Sequence, residues 1–177
     1  IIFEMPKKCP VCGAEVFEDK DEAAIRCTGA ECPAQLLRNL MHFASRDAMD
    51  IDGCGEAVLK ALIDAELIHS AADLYYLSTD DIMSLDRKKE KSANNLYNSI
   101  QHSKQRDLSR LLFAFGIRHV GQKAAKILSN HFGSLDNLLN ASLDELTVIR
   151  DIGETTAQSI CNWREQEQSK HIIEKLR

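Results

Sequence analysis

The sequence has few of the residues that are typical of β-rich, secreted or membrane proteins. Aromatic residues make up 6% of the 177 positions and there are 3 prolines, so a helical fold is favoured over a β-sandwich. No apolar run approaches the roughly 18 residues needed to cross a bilayer. The first residues, Ile1–Met5, lack the basic and apolar regions of a signal peptide. We therefore expect a mainly helical chain without membrane contact, whose first residues are the tail of an upstream domain.

Acidic residues are scarce between residues 87 and 126. The net charge is -5, yet residues 87–126 contain ten basic and two acidic residues. The ten basic residues of this segment, called the basic block below, are Arg87, Lys88, Lys89, Lys91, Lys104, Arg106, Arg110, Arg118, Lys123 and Lys126. Such a block indicates a surface that faces a polyanion, although a solvated helical face that binds nothing has the same composition.

Four of the six cysteines form two close pairs, separated by fourteen residues. The pairs are Cys9 with Cys12 and Cys27 with Cys32, and this spacing fits a tetrahedral zinc site. We expect residues 16–17 and 24–25 to form a short β-hairpin with its turn at residues 19–22, which would return the second pair to the metal. Four thiolates close the coordination shell, so the sequence predicts one structural zinc ion and no open position for a catalytic water.

Other roles for the cysteines explain less of the sequence. A redox pair at Cys9 and Cys12 would leave the second pair unexplained, and disulfides are disfavoured because nothing marks the chain as secreted. A zinc hydrolase is disfavoured because none of the six histidines lies near the cysteine pairs in sequence. Cys54 and Cys161 occur in helical surroundings and are predicted to be small buried hydrophobic residues. The cysteine usage therefore indicates a reducing compartment.

The remainder of the chain repeats itself. Four gap-free stretches align, at residues 51–62, 85–96, 117–128 and 149–160, with start points 34, 32 and 32 residues apart. Position one is always Ile or Leu, position six is Glu or Gln, and position five is Gly in three of the four. Residues 78–85 also match residues 142–149, and both begin with Ser followed three residues later by an acid, which is a helix-capping box. We therefore predict a pair of units that occurs twice.

Each unit is predicted to be a helix, a short hairpin and a second helix. We expect Gly at position five to adopt a backbone conformation unfavourable to other residues and to leave amide groups bare at the start of the second helix, where they can bind phosphate. Val120 and Ile152 would anchor two of these hairpins on the core. Such contacts position a protein on DNA without reading its sequence. A helical solenoid in which the glycines are only caps remains the alternative.

The hairpins are not equivalent as candidate DNA contacts. The third is favoured because Gly121 coincides with the basic block, and the fourth follows. The second has the loop Arg87–Lys89 without Gly, so it supplies charge and we expect it mainly to brace its partner. The predicted DNA-binding residues are Gly53, Gly55, Lys88, Lys89, Arg118, Gly121, Lys123, Gly153 and Thr155.

Several segments closely resemble bacterial NAD-dependent DNA ligases. They are residues 32–35, 42–56, 91–96 and 115–121, which match the junction between zinc finger and helix-hairpin-helix domain and later signatures of that family. The resemblance implies a small four-Cys zinc finger at residues 7–46, followed by tandem helix-hairpin-helix repeats in two double units at residues 47–177. Residues 1–6 would then end an OB-fold.

The resemblance also implies what the complete protein does. Such ligases act in the cytoplasm, in replication and repair, and seal nicks in duplex DNA by using NAD to adenylate a lysine and then the 5′-phosphate. Adenylation and OB domains would precede this segment and a BRCT domain would follow it. NAD and Mg²⁺ would belong to the missing catalytic domains.

The adenylation signature Lys-x-Asp-Gly is absent from the sequence. Its nearest match is Asp50–Gly53, where an Asp replaces the nucleophilic lysine, so we expect the segment alone to be inactive. Two other hypotheses remain open. The chain could be a stand-alone DNA repair or recombination accessory, or a zinc and helical-repeat module that binds protein.

Overall fold

The computed structural model describes residues 5–11, 13, 16–19, 24–27, 32–85 and 90–177. Within these ranges the chain is mainly helical with one small sheet, as the sequence predicted. None of their helices is long and apolar enough to span a bilayer. The elements are β1 (Val16–Asp19), β2 (Ala24–Cys27), α1 (Pro33–Ala44), α2 (Glu56–Asp64), a 3₁₀ helix (Ala71–Tyr76), α3 (Thr79–Met83), α4 (Glu90–Ser103), α5 (Leu108–Ala114), α6 (Gln122–Phe132), α7 (Leu135–Asn140), α8 (Leu143–Thr147), α9 (Glu154–Glu165) and α10 (Glu167–Leu176).

The β-hairpin predicted near the N-terminus is present. β1 and β2 pair antiparallel, with Val16 opposite Cys27 and Asp19 opposite Ala24. This register returns Cys27 to the open end of the hairpin, close to the segment that carries Cys9. Most of the predicted turn, residues 20–22, lies outside the described residues.

The predicted double unit occurs twice. The first consists of α2, the 3₁₀ helix, α3 and α4, and the second consists of α6, α7, α8 and α9. Both predicted capping boxes are formed, at Ser78 with Asp81 and at Ser142 with Glu145. In the first box the Asp81 amide donates to Ser78 Oγ over 3.1 Å and the Ser78 amide donates to the Asp81 carboxylate over 2.8 Å. These bonds satisfy backbone donors that the start of a helix leaves without a partner.

Each double unit has its own hydrophobic core, and α5 contributes to both. Ala114 belongs to the core of the first unit, which also contains Phe43 from α1. Leu112 belongs to the core of the second unit, and Phe113 packs against both. The small helix α5 therefore joins the two halves through apolar side chains on different faces.

The last helix, α10, packs back onto the 3₁₀ helix of the first unit. The Lys175 ammonium group lies 2.5 Å from the buried carboxylate of Asp73, and the Tyr76 hydroxyl donates to the Lys175 carbonyl over 2.8 Å. Burial alone would raise the pKa of Asp73, but hydrogen bonds from Lys175, the His69 amide and Ser70 outweigh it and hold the pKa below its usual range.

Candidate metal centre and nucleic-acid interface

Three of the four predicted zinc ligands come together in the structure. The sulfur atoms of Cys9, Cys27 and Cys32 all lie within 4.8 Å of one another, and those of Cys9 and Cys32 are 3.9 Å apart. Zinc–sulfur bonds of about 2.3 Å give a tetrahedron with edges of about 3.8 Å, so this spacing fits a shared metal ion. It is far longer than the roughly 2.05 Å of a disulfide. Cys12, the fourth predicted ligand, lies outside the described residues.

Local backbone structure holds the cysteines in place. The Gly13 amide donates to the Cys9 carbonyl over 2.9 Å, with Gly13 in the left-handed region at φ +73, which glycine adopts without strain. Cys32 is the residue that precedes the first turn of α1, and Pro33 occupies that turn. The Gln35 side chain donates to the Cys27 carbonyl over 2.6 Å. The cysteine cluster is thereby attached directly to the start of α1.

The hairpin glycines do not have the backbone conformation that the sequence predicted. Gly55, Gly121 and Gly153 have φ of -77, -80 and -81 with extended ψ, which any residue can adopt. The left-handed residue lies two positions earlier, at Gly53, His119 and Asp151, with φ of +80, +63 and +69. The prediction that position five needs glycine for its conformation is therefore wrong.

The position-five glycines are also not required by packing. A Cβ atom built on Gly55, Gly121 or Gly153 would meet nothing within 4 Å among the described residues. Each of the three stands immediately before a helix as its N-cap and supplies no side-chain cap. No N-cap side chain therefore covers the amide groups of the first helical turn, as predicted.

This arrangement contrasts with other helix starts in the same chain. Ser78, Asp107, Ser134 and Ser142 each accept a hydrogen bond from a first-turn amide of their helices. Four helices of the described residues therefore begin with a polar side-chain cap, whereas the second helix of each described hairpin begins with glycine. Neither backbone conformation nor packing requires glycine at these three positions.

The anchors of the hairpins are buried as the sequence predicted. Val120 and Ile152 are 5% and 3% exposed, and Cys54 takes the same place in the first hairpin at 7%. Cys161 is half-buried against the second core. These residues hold each glycine tip at the surface, where Gly55, Gly121 and Gly153 are all exposed.

Charge in the first helical turn distinguishes the three hairpins. α2 and α9 begin with Glu56 and Glu154, whereas α6 has no acidic residue in its first turn. A carboxylate at a helix start offsets the positive end of the helix dipole. The first turn of α6 is therefore the one among the three that carries no carboxylate of its own, and it contains the exposed Lys123, which pairs with Asp151 of the fourth hairpin.

The basic block divides into external and internal side chains. Lys104 lies over the Tyr75 ring, 5.7 Å from its centroid. Arg106 pairs with Asp50 at 2.6 Å, and Arg110 donates to the Ala48 carbonyl over 2.7 Å. Arg106 and Arg110 are half-buried and bonded within the protein, so these two do not belong to an external polyanion-facing surface, whereas Lys104 is exposed.

Two other predicted DNA-binding residues, Arg118 and Thr155, lie at the third and fourth hairpins. Arg118 and Thr155 are exposed and line one open cleft of about 1010 Å³, which residues of α1 also line. Lys88 and Lys89, together with the whole glycine-free loop of the second unit, lie outside the described residues.

Two segments of the chain match models of known protein families. Residues 8–34 match the family model of the NAD-dependent DNA ligase C4 zinc finger domain, and residues 110–173 match that of the helix-hairpin-helix motif. The chain thus combines a ligase-type zinc finger with helix-hairpin-helix repeats.

The relatives identify the family. The chain is 53% identical over 176 residues to a DNA ligase of Caldicellulosiruptor bescii, covering 99% of this chain and 26% of that protein. It is 49% identical over 175 residues to one of Thermoanaerobacter pseudethanolicus, covering 99% and 26%. For Geobacter metallireducens the identity is 48% over 172 residues, covering 97% and 26%. The chain belongs to the bacterial NAD-dependent DNA ligase family, and it spans about a quarter of the length of these relatives.

Proposed function

We propose that this segment binds the sugar-phosphate backbone of duplex DNA around a nick, without sequence specificity, as part of an NAD-dependent DNA ligase. The observation that carries the proposal is the uncovered start of α6. Gly121 leaves the first-turn amides bare although a side chain would fit there. Backbone amides and the helix dipole together make such a terminus a site for phosphate.

The proposed contacts are amide groups at three hairpins with supporting side chains. Gly121 and Lys123 form the main site, and Gly53, Gly55, Gly153, Thr155 and Arg118 add contacts. Glu56 and Glu154 weaken the sites at α2 and α9. Lys88 and Lys89 contribute charge from the second unit. Contacts of this kind position the protein on a duplex and carry no base readout.

The metal site is proposed to be structural. The cysteine sulfurs have the spacing of a tetrahedral zinc site, and Cys12 would complete it as the fourth ligand. Four thiolates leave no place for a reacting water. Within the zinc finger proposed at residues 7–46, the metal would fix the cysteine-bearing segments to the start of α1, next to the helix-hairpin-helix domain proposed at residues 47–177.

The joining reaction is proposed for the complete protein only. The sequence nearest to the adenylation signature, Asp50–Gly53, belongs to the turn and first hairpin, and the Asp50 carboxylate is paired with Arg106. Adenylation and OB domains on the N-terminal side would supply NAD and Mg²⁺ chemistry, with a BRCT domain on the C-terminal side. As part of a bacterial ligase the segment would act in the cytoplasm.

A titration of labelled nicked duplex at several salt concentrations tests the proposal. We expect saturable binding whose logarithmic affinity falls linearly with the logarithm of salt concentration, by about 0.9 per phosphate contact, and equally for duplexes of different sequence. Absence of binding at every salt concentration would instead favour a protein-binding module. A strong preference for one sequence would indicate base readout.

A further inference from the structure

The turn that joins α1 to the first hairpin is held from outside by two arginines. This turn, residues 45–50, places Ala48 and Met49 in the first core and ends with Asp50 in the left-handed region at φ +53. Arg110 Nε donates to the Ala48 carbonyl over 2.7 Å, and the same guanidinium donates to the Arg46 carbonyl. Arg106 donates to the Asp50 carboxylate over 2.6 Å.

Both arginines come from the start of α5, whose other end leads to the third hairpin. Arg106 directly precedes Asp107, the N-cap of α5, and Arg110 lies in its first turn. The chain continues from the end of α5 at Ala114 directly to the third hairpin, and α5 packs against α6. The same small helix therefore holds the turn before the first hairpin and positions the third.

A histidine fixes the far end of α5 to α1. His42 Nε2 lies 2.8 Å from the Phe113 carbonyl, and its ring packs edge-on against the Phe113 ring. The His42 ring also lies 3.5 Å from the place that a Cβ on Gly116 would take. Both ends of α5 are thus attached to the segment that leads into the first hairpin.

The two guanidinium groups face protein. The Arg106 side chain is 30% exposed, and its Nε is buried without a hydrogen-bond partner among the described residues. Arg110 is half-buried and directs its fork at backbone carbonyls. Lysine cannot reproduce a planar fork that donates to two acceptors at once. Geometry, not charge alone, is therefore what these side chains supply.

We propose that Arg110, supported by the Arg106–Asp50 pair, is a positioning residue that fixes the first hairpin relative to the third, so that both meet one DNA backbone together. The proposal rests on the DNA-binding function proposed above. Two sites held at a fixed distance bind one ligand more tightly than two independent sites, because the second contact becomes intramolecular. Loss of the two hydrogen bonds from the Arg110 guanidinium would remove this gain in affinity, while every phosphate-binding group stays in the chain.

Arg110→Lys separates geometry from charge. In the full 177-residue chain, we expect its affinity for a nicked duplex at low salt to fall about tenfold, as much as that of Arg110→Gln. Lys123→Gln, a charge variant at the proposed phosphate site, should reduce the salt slope by about one contact. If Arg110→Lys binds like the wild type while Arg110→Gln loses affinity and slope, Arg110 is itself a phosphate contact and the proposal is overturned.

A double-mutant cycle separates positioning from general destabilisation. In a Gly55→Glu background, where the first hairpin is already disabled, Arg110→Lys should cause almost no further loss. In a Gly121→Glu background it should likewise cause almost no further loss, because the gain from holding two sites together is already absent. Additional losses in both backgrounds as large as the loss in the wild type, like those of independent sites, would show that Arg110 acts on the fold as a whole and would refute the positioning role.

Asp50→Asn provides a second variant that keeps the test decisive if Arg110→Lys does not fold. Asparagine tolerates the left-handed backbone, and the change removes a negative charge, so a charge-only account predicts tighter binding. Positioning predicts weaker binding at an unchanged melting temperature of the helical core. Tighter binding would contradict the proposal.

The binding of the wild-type protein distinguishes failure of the two proposals. If the wild-type protein binds no duplex, the proposed function itself fails. If the wild type binds and the variants are unaffected, only the positioning role is refuted.

Discussion

The ammonium nitrogen of Lys123 lies 3.2 Å from the Asp151 carboxylate, which joins the third hairpin to the fourth. Lys123 belongs to the first turn of α6, and Asp151 is the left-handed residue of the fourth hairpin. The two side chains are 79% and 50% exposed, so the pair contributes little to stability. Its consequence is that a carboxylate lies beside the helix start proposed to bind phosphate.

Asp151→Asn should therefore bind DNA more tightly than the wild type. We expect an increase of about two- to fivefold in the affinity for nicked duplex at low salt, because an opposing charge near a helix terminus is worth roughly 0.3–1 kcal/mol. The gain should shrink as salt is raised, since exposed charges are screened. Fluorescence titration at two salt concentrations measures it.

Asp80→Asn is the matched control, because it removes an exposed acid from α3 in the other double unit. It should leave the affinity almost unchanged. A gain of the same size in Asp80→Asn would mean that only net charge matters, and weaker binding by Asp151→Asn would show that the ion pair organises the site.

The glycines at positions three and five should respond differently to serine. Gly53 has φ +80, so Gly53→Ser should lower the free energy of unfolding by about 1–2 kcal/mol. Gly121 has an extended backbone and open space at its Cβ, and serine is a good N-cap. Gly121→Ser should therefore leave stability unchanged or raise it by about 0.5 kcal/mol. Urea unfolding of both variants would contradict this if Gly121→Ser were the more destabilised.

Removal of one zinc ligand should abolish metal binding. We expect one equivalent of zinc in the wild type and none in Cys27→Ala, because structural zinc binding supplies about 10–16 kcal/mol toward folding of the segment that holds it. Amide protection should be lost in the residues before α1, while the helical cores still unfold cooperatively. Cys161→Ala lies outside the cluster and should retain its metal. Full zinc occupancy in Cys27→Ala would contradict the assignment.

The Asp73–Lys175 contact should make the free energy of unfolding depend on pH in the acidic range. Because the pKa of Asp73 is lowered in the folded chain, its contribution is complete above the unfolded value near 4 and is lost as pH falls through the folded pKa. Asp73→Asn should reduce the free energy of unfolding at pH 7 by about 1–3 kcal/mol. The difference from wild type should shrink in strong acid. An equal difference at pH 7 and at low pH would refute the electrostatic origin.

Much of the fold follows from local signals in the sequence. The repeat spacing, the capping boxes at Ser78 and Ser142 and the buried anchors Val120 and Ile152 depend on neighbours a few residues away, and each was predicted. The cysteine pairs likewise predicted a shared site, because thiolate ligands at such spacing have few other uses.

The parts that could not be predicted depend on contacts between distant residues. A glycine in a sequence does not reveal whether its conformational freedom or its missing side chain is used, so position five was given the conformational role that belongs to position three. Arg106 and Arg110 were counted as external charge because their partners, Asp50 and Ala48, are 56 and 62 residues away. The amphipathic pattern of α5 contains no sign of those partners.

The affinity of Gly121→Ser for a nicked duplex tests the central claim most directly. Serine would cap the α6 amides with its own hydroxyl, as Ser78 and Ser142 do in their helices, and so compete with phosphate for the same donors. We expect several-fold weaker binding at low salt, of equal size for different DNA sequences, from a protein at least as stable as the wild type. Unchanged affinity in that folded variant would show that the N-terminus of α6 does not bind the DNA backbone.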